Sequence, residues 1–273
     1  MHRGYISAPW GQIHYAEAGR GVPVVLYPNR PRSWIIYRRL GELLAGKHRV
    51  VILDPPGCGA SDPLPSPIEL GDLTRATLTL MDGLGIDRAH ISGHHTGATV
   101  AVDIAAYHPE RALSIAPSGL LLLTAEEKAA RLDGSAFSPA AGNPPKEDGS
   151  HLNTVLAKYP PKPPEDLPFI NDWTIDGLVS ETSQAALAMA VYRYDERSAL
   201  ARIAVPTLLV QSLGPGEPGS LQRMADAQRL VPGSRLEFVD GGDVHFIHHR
   251  ADELAPLLLH FFTQAEQLAG VTA

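Results

Sequence analysis

The chain has a single cysteine, Cys58, so neither an internal disulfide nor a cysteine-built zinc site can form. Long apolar runs are missing as well: no stretch reaches the roughly 18 apolar residues that a membrane-spanning helix needs. Met1-His2-Arg3-Gly4 lacks the apolar core of a signal peptide, and a soluble cytoplasmic protein is the resulting expectation. Positive charge is in deficit. With 23 Lys and Arg against 30 Asp and Glu the net charge is −7, which argues against nucleic acid or an anionic membrane as partner. What is present is a globular composition, 44% hydrophobic and 19% charged over 273 residues, a length that suits one α/β domain with a modest insertion.

Strand and helix signals alternate through the first 125 residues. Val24-Val25-Leu26-Tyr27 and Arg49-Val50-Val51-Ile52-Leu53-Asp54 are short β-branched runs, as in buried strands of a parallel sheet. Between them, Trp34, Tyr37, Leu40, Leu43 and Leu44 fall at helical spacing, so one helix is predicted over Trp34 to Ala45. A second helix, Ile68 to Leu84, ends at Gly85. Strands follow at Ala89-His90-Ile91-Ser92 and Leu113-Ser114-Ile115-Ala116, with an apolar helix, Ala98 to Tyr107, between them. This is a doubly wound, mostly parallel sheet, preceded by an edge hairpin of Tyr5-Ile6-Ser7 and Gln12-Ile13-His14-Tyr15. Pro, Gly, Ser and charge then dominate Asp133 to Asp166, and a helical stretch runs from Ile175 to Tyr194. The segment reads as a cap over the strands' C-terminal edge, where open α/β sheets bind ligands. Residues 1–124 and 200–273 are thus assigned to the core and 125–199 to the cap. The sheet resumes at Pro206 to Gln211 and Arg235 to Val239, with helices at Leu221 to Leu230 and Asp252 to Leu268.

Gly93-His94-His95-Thr96-Gly97 sits where a strand meets a helix. Two glycines around a tight turn throw the middle side chain out at the top of the sheet, facing a ligand. Upstream lies Asp54-Pro55-Pro56-Gly57-Cys58-Gly59-Ala60-Ser61-Asp62, and downstream Gly241-Gly242-Asp243-Val244-His245-Phe246. In this order the motifs resemble those of the α/β-hydrolases: the Asp-x-x-Gly-x-Gly-x-Ser loop, the nucleophile elbow and the segment that delivers the catalytic histidine. The resemblance spans nearly the whole chain and implies the α/β-hydrolase fold with an inserted cap. A closer likeness, through Gly-His-His-Thr-Gly, Pro31-Arg32-Ser33-Trp34 and Asp148-Gly149-Ser150-His151, is to a subgroup of that family and implies no particular activity.

The resemblance puts His95 where the family carries Ser, Asp or Cys. Imidazole is better suited to moving protons near neutral pH than to carrying an acyl group. The positive end of the following helix disfavours imidazolium, so a neutral His95 is expected. His245 matches the family's base. The carboxylate that orients the base is expected after Val210, where Pro215 takes its place; Glu217 is the candidate, with Asp240 and Asp243 as alternatives. The family's His-Gly-x-Pro is Pro28-Asn29-Arg30-Pro31 here. An oxyanion hole would use the backbone N–H groups of Arg30 and Thr96, with Asn29 and His151 as substrate contacts. Arg30 and Arg32 near the pocket would suit a carboxylate or enolate. His94 is expected to turn away from the pocket, and His248 and His249 to be solvated or structural.

Three functions stay open. One is an enzyme in which His95 and His245 act as acid and base on a small carbonyl substrate by ester, lactone or carbon–carbon hydrolysis, or by lyase or decarboxylase chemistry. Another is a retired scaffold that binds a small molecule. The last is a metal site of His95, His245 and a carboxylate or His151, opposed by the lack of a close-spaced ligand pair. The enzyme is preferred, with no metal and no cofactor. The sequence leaves its oligomeric state undetermined.

Overall fold

The computed structural model describes residues 1–133, 146–152, 166–180, 183–213, 220–240 and 245–271. An eight-stranded sheet forms the middle layer, in the order β1-β2-β4-β3-β5-β6-β7-β8. The strands are β1 (His2–Ala8), β2 (Gly11–Ala18), β3 (Pro23–Tyr27), β4 (Arg49–Leu53), β5 (Ala89–His94), β6 (Ala112–Ser118), β7 (Leu208–Leu213) and β8 (Arg235–Asp240). β1 and β2 make the expected antiparallel hairpin with Tyr5 opposite His14, β2 runs antiparallel to β4, and all later pairs are parallel. β5 and β6 are buried along their whole length while β1 is largely exposed, as expected of central strands covered on both faces and of an edge.

Two apolar layers cover the sheet. On one side pack α1 (Arg38–Leu44) and the long C-terminal helix; on the other pack α2 (Leu70–Gly83) and α3 (Thr96–Tyr107). Every residue of α3 from Thr96 to Ala106 is buried, which explains its all-round apolar sequence. The helix predicted over Trp34 to Ala45 is divided. A 3₁₀ turn, Trp34–Tyr37, starts at Ser33, whose hydroxyl accepts from the Ile35 N–H, and α1 follows. The helix predicted from Ile68 begins instead at Leu70, because Glu69 and Asp72 form a reciprocal cap there.

Between β6 and β7 lie α4 (Ala125–Leu132), α5 (Leu167–Ser180), α6 (Gln184–Arg193) and α7 (Glu196–Leu200). The stretch read as helical from Ile175 to Tyr194 thus starts earlier, at Leu167, and comprises two helices. After β7 come α8 (Ser220–Leu230), β8, the short α9 (Phe246–His249) and α10 (Ala251–Ala269). This is the expected mostly parallel α/β-hydrolase architecture with helices inserted as a cap.

Candidate active site

β5 ends at His94 and α3 begins at Thr96, so His95 alone makes the turn, at φ 48° and ψ −107°. Such a backbone conformation costs a non-glycine residue about 1–3 kcal/mol. Both flanking glycines are required. A Cβ on Gly93 would run into the Gly97 carbonyl, and one on Gly97 into the carbonyl oxygen of Tyr27. The His95 N–H donates to the Ser118 carbonyl (3.0 Å), and the His95 carbonyl accepts from the Thr99 N–H (3.1 Å), opening the helix. The half-buried His95 ring lies against Gly119, just past β6 at φ +64°, where a Cβ would stand 2.8 Å from Nε2.

His94 departs from its expected place. Its buried ring sits 4.1 Å from that of His95, tilted by 33°, and meets Phe246 edge-on at 5.3 Å. It lines a small cleft with Asn29, Phe169, Trp173 and His245 rather than turning away from it. His94 Nδ1 is 3.1 Å from Ser118 Oγ, and the Ser118 hydroxyl donates to the Gly93 carbonyl at 3.1 Å.

His245 precedes α9 and enters the same cleft. Its ring meets Trp173 of α5 edge-on at 5.2 Å, and the Arg32 guanidinium lies 3.8 Å above the Trp173 ring. Pro31-Arg32-Ser33-Trp34 is thereby locked to the cap, since the Ser33 N–H also donates to Asp176 Oδ2 at 2.9 Å. Burial raises the Asp176 carboxyl above the usual range, with Ser33 and Arg32 pulling it back. His248 stacks on Phe169 at 3.6 Å and is lowered to about 4, by burial first and then by His249. It is a neutral wall of the cleft.

The other candidates are dispersed. Asn29 lines the His245 cleft. Thr96 is buried at the first position of α3. Arg30 aims its side chain at Tyr192 Oη, 2.8 Å away. His151 Nδ1 accepts from the Lys146 N–H within its own turn, at 3.1 Å. Glu217 and Asp243 lie outside the described residues, and Asp240 is the exposed last residue of β8.

Residues 19–257 match the alpha/beta hydrolase family. The chain belongs to the α/β hydrolase family. Among its relatives, a 2-hydroxy-6-oxo-6-phenylhexa-2,4-dienoate hydrolase of Comamonas testosteroni is 37% identical over 116 residues, 40% of this chain and 41% of that protein. The chain thus spans about two fifths of the length of that relative. A putative carbamate hydrolase, RutD, of Azorhizobium caulinodans aligns over 93% of this chain and 96% of its own length at 24% identity. The crystal structure of an enol-lactonase from Burkholderia xenovorans superposes with a TM-score of 0.79 at 20% identity, covering 95% of this chain and 100% of the other. Its likeness is one of fold.

Two features of this α/β hydrolase were not anticipated. Glu196, at the start of α7, is buried against the elbow helix. Its carboxylate accepts from Thr99 Oγ1 (2.8 Å) and from the N–H of Leu122 (2.7 Å), a residue at φ 38°. Burial raises its carboxyl, opposed by Leu122, Thr99, Arg197 and His95. An acidic residue opening a helix is ordinarily a solvated partner of the helix dipole, so no sequence signal marked this one as buried. The other is a triad of His48, His90 and Glu266, the one group among the described residues with metal-ligand spacing. Glu266 Oε1 is 3.0 Å from His48 Nε2 and 3.2 Å from His90 Nε2. His90 and His94 are four residues apart on β5, roughly 13 Å at strand rise, so this triad belongs to the opposite edge of the sheet from the elbow. Among the described residues no helix is long and apolar enough to cross a membrane.

Proposed function

We propose that this α/β hydrolase is an enzyme acting on a small carbonyl compound, an ester, a lactone or a carbon–carbon bond beside a carbonyl, by histidine acid–base chemistry with no serine acyl-enzyme. The observation that carries this reading is the elbow itself: an imidazole on a strained turn at the N-terminus of a buried helix, with a second imidazole, His94, beside it, and a third, His245, sharing a cleft with His94. Imidazole can take and return a proton within one catalytic cycle. The first turn of α3 presents the Thr96 N–H to a developing oxyanion, and the Arg30 N–H is its counterpart on the loop after β3. His95 takes the role of base or donor, His245 that of its acid–base partner, and Glu217 that of the carboxylate orienting His245. Asn29 contacts the substrate from the cleft wall and His151 from the cap, taken as residues 125–199 over a core of 1–124 and 200–273. The name of the Comamonas relative, a hydrolase of an oxo-dienoate, supports a carbonyl substrate.

The alternative is a scaffold that binds a small molecule without turning it over. It is favoured by the joint replacement of the family's nucleophile, its acid loop and its His-Gly, here His95, Pro215 and Pro28-Asn29. Turnover decides between them. Purified protein screened against ester, lactone, β-diketone and 2-hydroxy-6-oxodienoate substrates should convert at least one class, with the rate lost in His95→Ala and no covalent adduct in quenched samples by intact mass. Saturable binding with no conversion of any substrate would establish the binding protein instead.

A further inference from the structure

Two arginines converge on one buried tyrosine. Arg30 stands three residues beyond Tyr27, whose backbone pairs with Gly93 of the elbow. Arg131 lies in the last turn of α4, the first helix after β6. Tyr192 comes up from α6, which packs on both α3 and α4. Arg30 Nη2 donates to Tyr192 Oη at 2.8 Å and Arg131 Nη1 to the same oxygen at 3.2 Å. Both guanidiniums lie over the phenol ring, with Cζ 5.3 and 5.2 Å from its centroid.

Neither guanidinium has an ion-pair partner of its own among the described residues. Arg49, Arg111 and Arg223 each reach a carboxylate within ion-pair distance, whereas among the described residues none does so for Arg30, and the acid that acts on Arg131, Glu127 one helical turn before it, is paired with Arg223. Burial lowers the Arg30 pKa, and the neighbouring Arg131 lowers it further against the help of Tyr192. One phenol oxygen accepts two N–H groups, while two guanidiniums carry ten. Two positive charges also lie close together in a partly desolvated place, an arrangement that is costly unless an anion completes it.

We propose that Arg30, Arg131 and Tyr192 form a carboxylate subsite beside the elbow, and that the substrate is a carbonyl compound bearing a carboxylate. The planar, forked guanidinium matches the two oxygens of a carboxylate, and the phenol holds both forks in place. This deepens the function proposed above and rests on that reading for the location of the substrate. The test uses binding rather than turnover, so the two can fail separately.

Thermal unfolding of the full chain is measured with sorbate (hexa-2,4-dienoate), with sorbamide and with inorganic phosphate, at matched ionic strength. Sorbate should raise the Tm by about 2 °C or more at saturating concentration, with neither sorbamide nor phosphate doing so. The sorbate shift should disappear in Arg30→Met and in Arg131→Met. Without ligand, Arg131→Met should unfold no lower than wild type, since it removes one of two repelling charges and keeps the aliphatic stem. Sorbamide matching sorbate, phosphate exceeding it, no shift with any ligand, a shift retained in both variants, or a destabilised Arg131→Met would each overturn the proposal. Turnover of neutral esters alone would leave the acid–base reading standing and contradict this one.

Discussion

Gly119→Ala is the sharpest perturbation of the elbow that leaves every proposed catalytic residue in place. Gly119 has φ +64°, and its added Cβ would press on the His95 ring at Cδ2 and Nε2 and stand 3.0 Å from His94 Cε1. Two costs add. Holding an L-residue in the left-handed region costs about 1–2 kcal/mol, and overpacking against the ring costs about 1–3 kcal/mol more. Gly233→Ala isolates the first of these, because Gly233 also has positive φ (+86°) but its Cβ would meet nothing within 4 Å. The backbone of His95 is pinned by the Ser118 carbonyl and by α3, so the ring must swing, and a displacement of about 1 Å can cost on the order of 100-fold in rate. Urea unfolding of Gly119→Ala, of His95→Ala and of the double variant closes a cycle. With the ring gone, the cost of Gly119→Ala should fall toward that of Gly233→Ala, a coupling of about 1–3 kcal/mol. Equal costs in both backgrounds would refute the placement of the ring over Gly119.

Three further outcomes follow from buried groups and open space. His90 is lowered from 6.5 to about 4, by burial first, so the fold keeps it neutral while the unfolded chain takes up a proton. That contribution is fully present above pH 6.5 and is lost as pH falls toward 4, by about 3 kcal/mol. His90→Asn should therefore flatten the pH dependence of the urea midpoint across this window, and an unchanged slope would count against it. Thr99→Val removes the hydroxyl that Glu196 Oε1 accepts from, so stability should drop by about 1–3 kcal/mol in urea titrations, with Thr99→Ser close to wild type. Gly71→Ala, exposed in the first turn of α2 with nothing within 4 Å of the new Cβ, should raise stability by about 0.5–1 kcal/mol in the same assay.

The sheet was legible because its central strands are short β-branched runs with buried faces on both sides. The helix α3 was legible because a continuous apolar run after a Gly-x-x-x-Gly turn needs burial on every side, which the centre of the sheet supplies. Asn29 and His245 were likewise placed by motif, and the structure brings them to one cleft. His94 was misplaced for a physical reason. At the last residue of β5 the sheet ends, and the ring's surroundings are set by Phe246, from an element near the other end of the chain. Glu196 and the pairing of Arg30 with Arg131 over Tyr192 were hidden in the same way. Each is an ordinary charged residue locally, and only the packing of cap helices on α3 buries it or brings it to Tyr192. The division of the Trp34 to Ala45 helix had a readable cue in Ser33, a good N-cap, but spacing alone does not separate a 3₁₀ turn from an α-helix.

His95 is proposed to run the chemistry as an acid–base group. Its most direct test is the single-turnover rate of wild type, His95→Ala and His95→Gln on the substrate that the screen identifies, with binding measured separately. The rate should fall about 100- to 10,000-fold in both variants, while the dissociation constant stays within a few-fold. Variants that turn over at the wild-type rate would show that His95 is not the acid–base group.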